Sequence, residues 1–213
     1  MYLYRVRIRG ERACFTRPEF KTERLTYDVL TPSAARGAIE AILWKPAIRW
    51  EIHKILLLAP IRYLQFKRNE VTSKIPVTLA SRARAGGLPL DYFADEDRAQ
   101  RNTIALRDVD YAVEAEFHMT SKQGPDDNPK KFDEMFRRRL EKGQFHMQPY
   151  LGCREFLAIV EPYSGNPAPV SESRDLGYML HDLRFGPKVN EPVFFRARLE
   201  SGVIAIPKWE AAA

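Results

Sequence analysis

Two capped helices set among period-two segments constrain this chain most. Thr31-Pro32 and Asn128-Pro129 each place a side-chain oxygen directly before a proline. The first residue can accept a hydrogen bond from the orphan N–H groups of a helix's first turn. The second sits where a missing N–H costs nothing. After Thr31, residues Ala35, Ala38, Ile39 and Ile42 recur at i, i+3, i+4 and i+7, one apolar face. Pro46 disfavours helical geometry at Lys45 and ends that helix. After Asn128, residues Phe132, Met135, Phe136 and Leu140 mark a second buried face, with Gly143 as its stop.

The segments around these helices alternate with period two. Residues 2–9 set Tyr2, Tyr4, Val6 and Ile8 against Leu3, Arg5, Arg7 and Arg9, a strand with one wet, basic face. Segments 48–60, 61–75, 104–120 and 153–162 read as further strands. Residues 76–103 lose periodicity, hold Gly86-Gly87 and Pro89, and read as an inserted loop. A Pro/Ser/Gly loop over 163–175 leads to three short strands around 177–185, 192–200 and 203–207. The order through residue 161 is β-α-β-(β)-β-α-β. It predicts an α+β fold, a ferredoxin-like sheet with both helices on one face. Residues 1–161 form that unit, and 162–213 form a small C-terminal antiparallel β part.

With 213 residues, 45% of them hydrophobic, the chain can bury a real core. Net charge is +6, from 34 basic and 28 acidic residues. That excess suits a polyanion only where it gathers on one face. Cys14 and Cys153 lack CxxC spacing, which argues against a disulfide framework or a zinc site. No apolar run approaches the ~20 residues of a membrane span, and MYLYRVRIRG lacks a signal-peptide core. The expectation is a cytoplasmic protein without a membrane partner. A phosphate-cradling glycine loop, GxSxG and a paired-carboxylate motif are all missing, which removes nucleotide hydrolysis and serine-hydrolase chemistry.

Cationic residues carry what chemistry is legible. Lys67, Arg68 and Lys74, with Arg62 nearby and Arg5, Arg7 and Arg9 on the first strand, offer phosphate contacts. Tyr63, Phe66 and Trp44 interleave as base stacking requires. The same charges also fit the solvated side of an antiparallel sheet. Arg36, Trp44 and Lys45 flank the first helix. Lys130 and Lys131 open the second helix, where cations oppose the helix dipole and favour an anion nearby. A lysine there can serve as acid, base or oxyanion stabiliser in phosphodiester cleavage. Arg137, Arg138, Arg139 and Lys142 sit in its later turns. None of His53, His118, His146 and His181 has HxH or HExxH spacing, so no metal site is expected. His118 and His146 are alternatives as general acid or base, or ordinary surface imidazoles.

The stretch from Ala13 to Trp50, KRNEVTSKI, the segment from Asn128 to Gln144, QPYLGCREF and RDLGYML together resemble the CRISPR-associated protein 5 family in its type I-C (subtype d) form. The resemblance spans residues 13–180. It implies an RRM-related, RAMP-type ferredoxin-like domain with a small C-terminal β part. It also implies binding to the repeat hairpin and 5′ handle of CRISPR RNA, and metal-independent cleavage of the precursor by attack of a ribose 2′-OH. The product subunit then stays in the antiviral surveillance complex beside its backbone and large subunits. No cofactor is implied. Active relatives carry Tyr or His just before Trp-Lys-Pro and Gly-Lys-His at the start of the second helix. Here Leu43 and Lys130-Lys131-Phe132 stand there, so only Lys131 matches. The resemblance thus assigns catalysis to Lys131 and leaves a catalytically impaired RNA-capping subunit as the alternative; His118 and His146, which match no family motif, are substitutes on residue type alone. RNA contacts are expected from Arg17, Lys21, Arg36, Trp44, Lys45, Lys67, Arg68, Lys74, Lys130, Arg137 and Arg154.

Overall fold

The computed structural model describes residues 2–20, 22–87, 93, 95–186 and 189–209. It is a mixed α/β molecule built on a large, mainly antiparallel sheet. The organising strand is β5 (Arg98–Met119), 22 residues long. Its second half lies between β1 (Leu3–Ala13) and β3 (Ile48–Leu57). Its first half pairs with β4 (Tyr63–Val71) and, in parallel, with the short β2 (Arg24–Leu25). Asp108 separates the halves with φ of 52°, a left-handed conformation that aspartate tolerates better than most residues. β8 (Ile159–Pro162) extends the sheet beyond β1, and β11 (Val203–Ala205) extends it beyond β3.

One face of this sheet is apolar because alternate residues of three strands point to it: Tyr4, Val6 and Ile8; Trp50, Ile52 and Ile55; Val113, Ala115 and Phe117. Both long helices cover that face. In α1 (Pro32–Ile42) the expected Ala35, Ala38, Ile39 and Ile42 are buried, and Thr31 Oγ1 accepts from Ala34 N at 3.3 Å. In α3 (Pro129–Glu141) Phe132, Phe136 and Leu140 are buried, and Asn128 Oδ1 accepts from Lys131 N at 3.0 Å. Phe136 inserts between Tyr4 and Trp50, at centroid distances of 4.9 and 4.6 Å. Phe132 meets Phe117 at 6.5 Å. Arg139 Nη1 donates to Ile42 O at 2.8 Å and ties the ends of the two helices together. No described helix is long and apolar enough to cross a membrane.

The structure differs from the sequence reading at three places. The segment 76–103 carries an eight-residue helix, α2 (Val77–Arg84), and the first residues of β5. No residue of α2 is buried, so it has no apolar face for a periodicity to reveal. Positions 88–92 and 94 lie outside the described residues. The single strand expected over 153–162 is broken at Ala158. β7 (Cys153–Leu157) pairs with β6 (Tyr150–Leu151), while β8 crosses to β1. The last three strands also do not stay together. β9 (Arg174–Phe185) and β10 (Asn190–Leu199) form their own two-stranded sheet, but β11 returns to the edge of the large one.

Candidate nucleic-acid interface

The turn after α1 and the start of α3 form one surface. Leu43 leaves the helix in extended geometry, and the turn closes with Ile48 N donating to Lys45 O at 3.1 Å. Thr120, just past β5, clamps it: its N–H donates to Ala47 O at 2.9 Å and its hydroxyl to Pro46 O at 2.6 Å. The chain then runs directly into α3. Asp127 Oδ1 accepts from Lys131 Nζ at 2.9 Å, and Asp127 Oδ2 accepts from Gly124 N at 3.0 Å. The Lys131 hydrogen bond, then the Gly124 N–H, then the charges of Lys131 and Lys45 hold this carboxyl below the usual carboxylate range. Trp44 is 53% exposed beside them. The first turn of α3 holds no acidic residue, so its positive dipole end is uncompensated within the helix. Trp44, Lys45, Lys130 and Lys131 share this corner, where Asp127 pairs with Lys131 and Glu134 lies 3.8 Å from Lys130 Nζ. Sequence reasoning missed Asp127. The signal was present, since Asp127 lies four residues before Lys131.

Leu43 and Phe132 sit beneath this corner and face inward, both essentially buried. Leu43 contributes its carbonyl, which accepts from Trp50 Nε1 at 2.9 Å. His118 lies on the sheet face opposite Phe117, where its Nε2 meets Glu51 Oε2 at 2.8 Å. That is the face away from α3. His146 lies past the far end of α3, its backbone N–H donating to Ala41 O at 3.0 Å. The structure does not bring either histidine to Lys131.

A second cationic region follows β4. Tyr63, Gln65, Lys67, Asn69 and Val71 form its exposed face, while Leu64, Phe66, Arg68 and Glu70 turn inward. Lys67 and, beyond the strand, Lys74 are exposed and have no ion-pair partner among the described residues. Arg17 stacks over the Tyr27 ring at 4.4 Å and lines a groove of about 450 Å³ with Tyr63, Gln65 and Asp28. Arg68 is largely covered; it pairs with Glu155 and lies over Phe66 and Phe156. Arg154 is exposed on β7. Arg137 pairs with Asp133 at 2.7 Å and lies over Tyr4. Arg36 grips Asp182 with two hydrogen bonds, 2.7 and 2.9 Å, and Glu40 with a third, so its fork joins α1 to β9. Lys21 lies outside the described residues. The arginines of β1 are also engaged: Arg5 with Glu114, Arg7 with Asp110 and Glu161, Arg9 with Glu161. The basic face read from β1 is thus matched by carboxylates of β5 and β8.

The mixed α/β fold, with cationic side chains at the α1–α3 corner and along β4, has counterparts among solved structures. A crystal structure of a CRISPR-associated protein superposes with a TM-score of 0.72 at 22% identity, covering 99% of this chain and 94% of that one. A chain of a CRISPR RNA-guided surveillance complex gives 0.53 at 12%, covering 97% and 90%. Residues 3–207 match the subtype d family model described as CRISPR-associated protein (Cas_Cas5), and the chain belongs to this family. A relative from Mannheimia succiniciproducens, named CRISPR pre-crRNA endoribonuclease Cas5d, is 48% identical over 97% of this chain and 96% of its own length.

Proposed function

We propose that this protein binds the repeat hairpin and 5′ handle of CRISPR RNA, cleaves the precursor without a metal ion, and remains as a subunit of the type I-C surveillance complex, beside its backbone and large subunits. The fold is read as ferredoxin-like, with residues 1–161 as the RNA-binding unit and 162–213 as its C-terminal β part. Family membership and the name of the 48%-identical relative support the activity. The observation that carries the site is the corner of Trp44, Lys45 and Lys131 at the start of α3.

In this reading a phosphate of the RNA approaches the N–H groups of the first turn and displaces Asp127 from Lys131. Trp44 stacks a flanking base. The ribose 2′-OH upstream of the cut attacks phosphorus, and the P–O5′ bond breaks to leave a cyclic phosphate and a 5′-hydroxyl. Lys131 stabilises the charge that builds on the phosphorane oxygens. DNA lacks the 2′-OH and is not cut. Arg17, Lys67, Lys74, Lys130 and Arg154 hold the backbone on either side, while Arg36, Arg68 and Arg137 act through the elements they fix.

One observation favours a second reading. Leu43 and Phe132 are apolar and buried, at positions where the resemblance implies groups able to move protons. A capping subunit that grips the RNA without cutting it needs no such groups. A labelled repeat hairpin incubated in EDTA separates the two. A product formed by the wild type and lost in Lys131→Ala supports the enzyme. Intact, retarded RNA supports the cap.

A further inference from the structure

The outer face of the large sheet carries a cluster that RNA processing does not use. Glu51 on β3 and Glu116 on β5 are direct cross-strand partners. Like charges in that position repel and destabilise the pair. The structure nonetheless covers them: the Glu116 side chain is only 9% exposed. His118 reaches both, with Nε2 at 2.8 Å from Glu51 Oε2 and 3.3 Å from Glu116 Oε1. On the other side of Glu116, His53 Nε2 lies 2.9 Å from Oε1. That contact is off the axis of a hydrogen bond, and this buried nitrogen has no hydrogen-bond partner among the described residues. The ladder between β3 and β5 is irregular here, with the register shifting between Ile52 and Lys54. A bulge of this kind re-aims a side chain, and it lets His53 and Lys54 both reach carboxylates of β5.

Neither neighbouring cation settles the charge. Lys54 is taken by Glu114, and Arg49, cross-strand from His118, makes no ion pair with either glutamate. A divalent ion in the same place would neutralise both carboxylates. The spacing suits one. Donor atoms about 2.1 Å from a tetrahedral ion sit about 3.4 Å from each other. One donor atom from each of Glu51, Glu116 and His118 lies within 4.8 Å of the other two.

We propose that Glu51, Glu116 and His118 form a binding site for a first-row divalent transition ion, zinc in the first instance. One imidazole and two carboxylates favour such an ion over magnesium, which prefers oxygen ligands and keeps its waters. Three protein ligands leave a fourth position, which faces solvent past the half-exposed His118. His53 Nε2 lies beside Glu116 Oε1, 2.9 Å away. The site lies across the sheet from Lys131, so it is separate from the RNA-cleaving corner. The ion holds β3 to β5 and offers an open coordination position to a donor from outside the chain.

The test uses the full chain, stripped with EDTA and dialysed, and titrated by calorimetry with zinc, with magnesium as the comparison. Cobalt, added separately, reports geometry through its visible absorption. The expected result is one zinc per chain, a raised melting temperature, a tetrahedral cobalt spectrum and no comparable magnesium uptake. Glu51→Gln and His118→Ala each weaken zinc binding at least about 10-fold. Melting of both variants in EDTA shows whether they remain folded, and Glu51→Gln, nearly isosteric, keeps the test valid should His118→Ala unfold. Stoichiometric uptake that Glu51→Gln leaves unchanged overturns the proposal. So does an absence of saturable zinc binding, or magnesium binding as tight as zinc.

Discussion

At the scale of single residues, Cys153 shows how a short contact becomes a pH effect. Arg24 Nη1 lies 3.1 Å from its sulfur, and Cys14 lies beside it. The Cys14 thiol, then Arg24, push the Cys153 thiol below its ordinary pKa, and burial opposes them. A group whose folded pKa is depressed contributes stability that is fully present above its unfolded value, about pH 8.5 for a thiol. That contribution is lost as pH falls toward the lowered folded value. Cys153→Ser should therefore flatten the pH dependence of stability on the acid side of pH 8.5. Denaturant midpoints measured across that window check it, and an unchanged slope refutes the thiolate–arginine pair. Little of this was legible in the sequence. Cys14 and Cys153 are 139 positions apart, and only the folded sheet brings them together with Arg24. The placement of Lys131 at the start of α3 was legible, because its capping partner Asn128 is local. Arg36 was not: its place on α1 looked free, but Asp182, 146 residues away, takes its guanidinium.

At the scale of elements, α3 is held by its aromatic face. Phe136 is fully buried between Tyr4 and Trp50. Phe136→Ala removes that ring and leaves a cavity, and should cost about 3–5 kcal/mol of stability. Chemical denaturation measures it, and a loss under about 1 kcal/mol would mean α3 is not anchored there. Both long helices were readable because an apolar stripe and a cap are written within a dozen residues. α2 was unreadable for the opposite reason, as it buries nothing. Strand existence followed from alternation, but partners did not. β11 looked like part of a local β unit and instead pairs with β3, some 150 residues earlier. The carboxylates that balance β1, and the cluster around Glu116, became visible only through the register of β5 against its neighbours.

At the scale of the molecule, the net charge of +6 is unevenly deployed. On the outer sheet face, Arg5, Arg7, Arg9 and Lys54 are paired with Glu114, Asp110 and Glu161. Lys45 at the α1–α3 corner and Lys67 on β4 are exposed and have no ion-pair partner among the described residues. Each phosphate neutralised by such a cation releases counterions, so affinity must fall steeply with salt. The most direct test of RNA recognition by this corner is the salt dependence of binding to a labelled repeat hairpin. It compares the wild type with a Lys45→Ala, Lys131→Ala double variant. Removal of two phosphate contacts should weaken binding at low salt and reduce the log–log slope by about 2. An identical slope and affinity in the two proteins would contradict the assignment of the RNA to the start of α3.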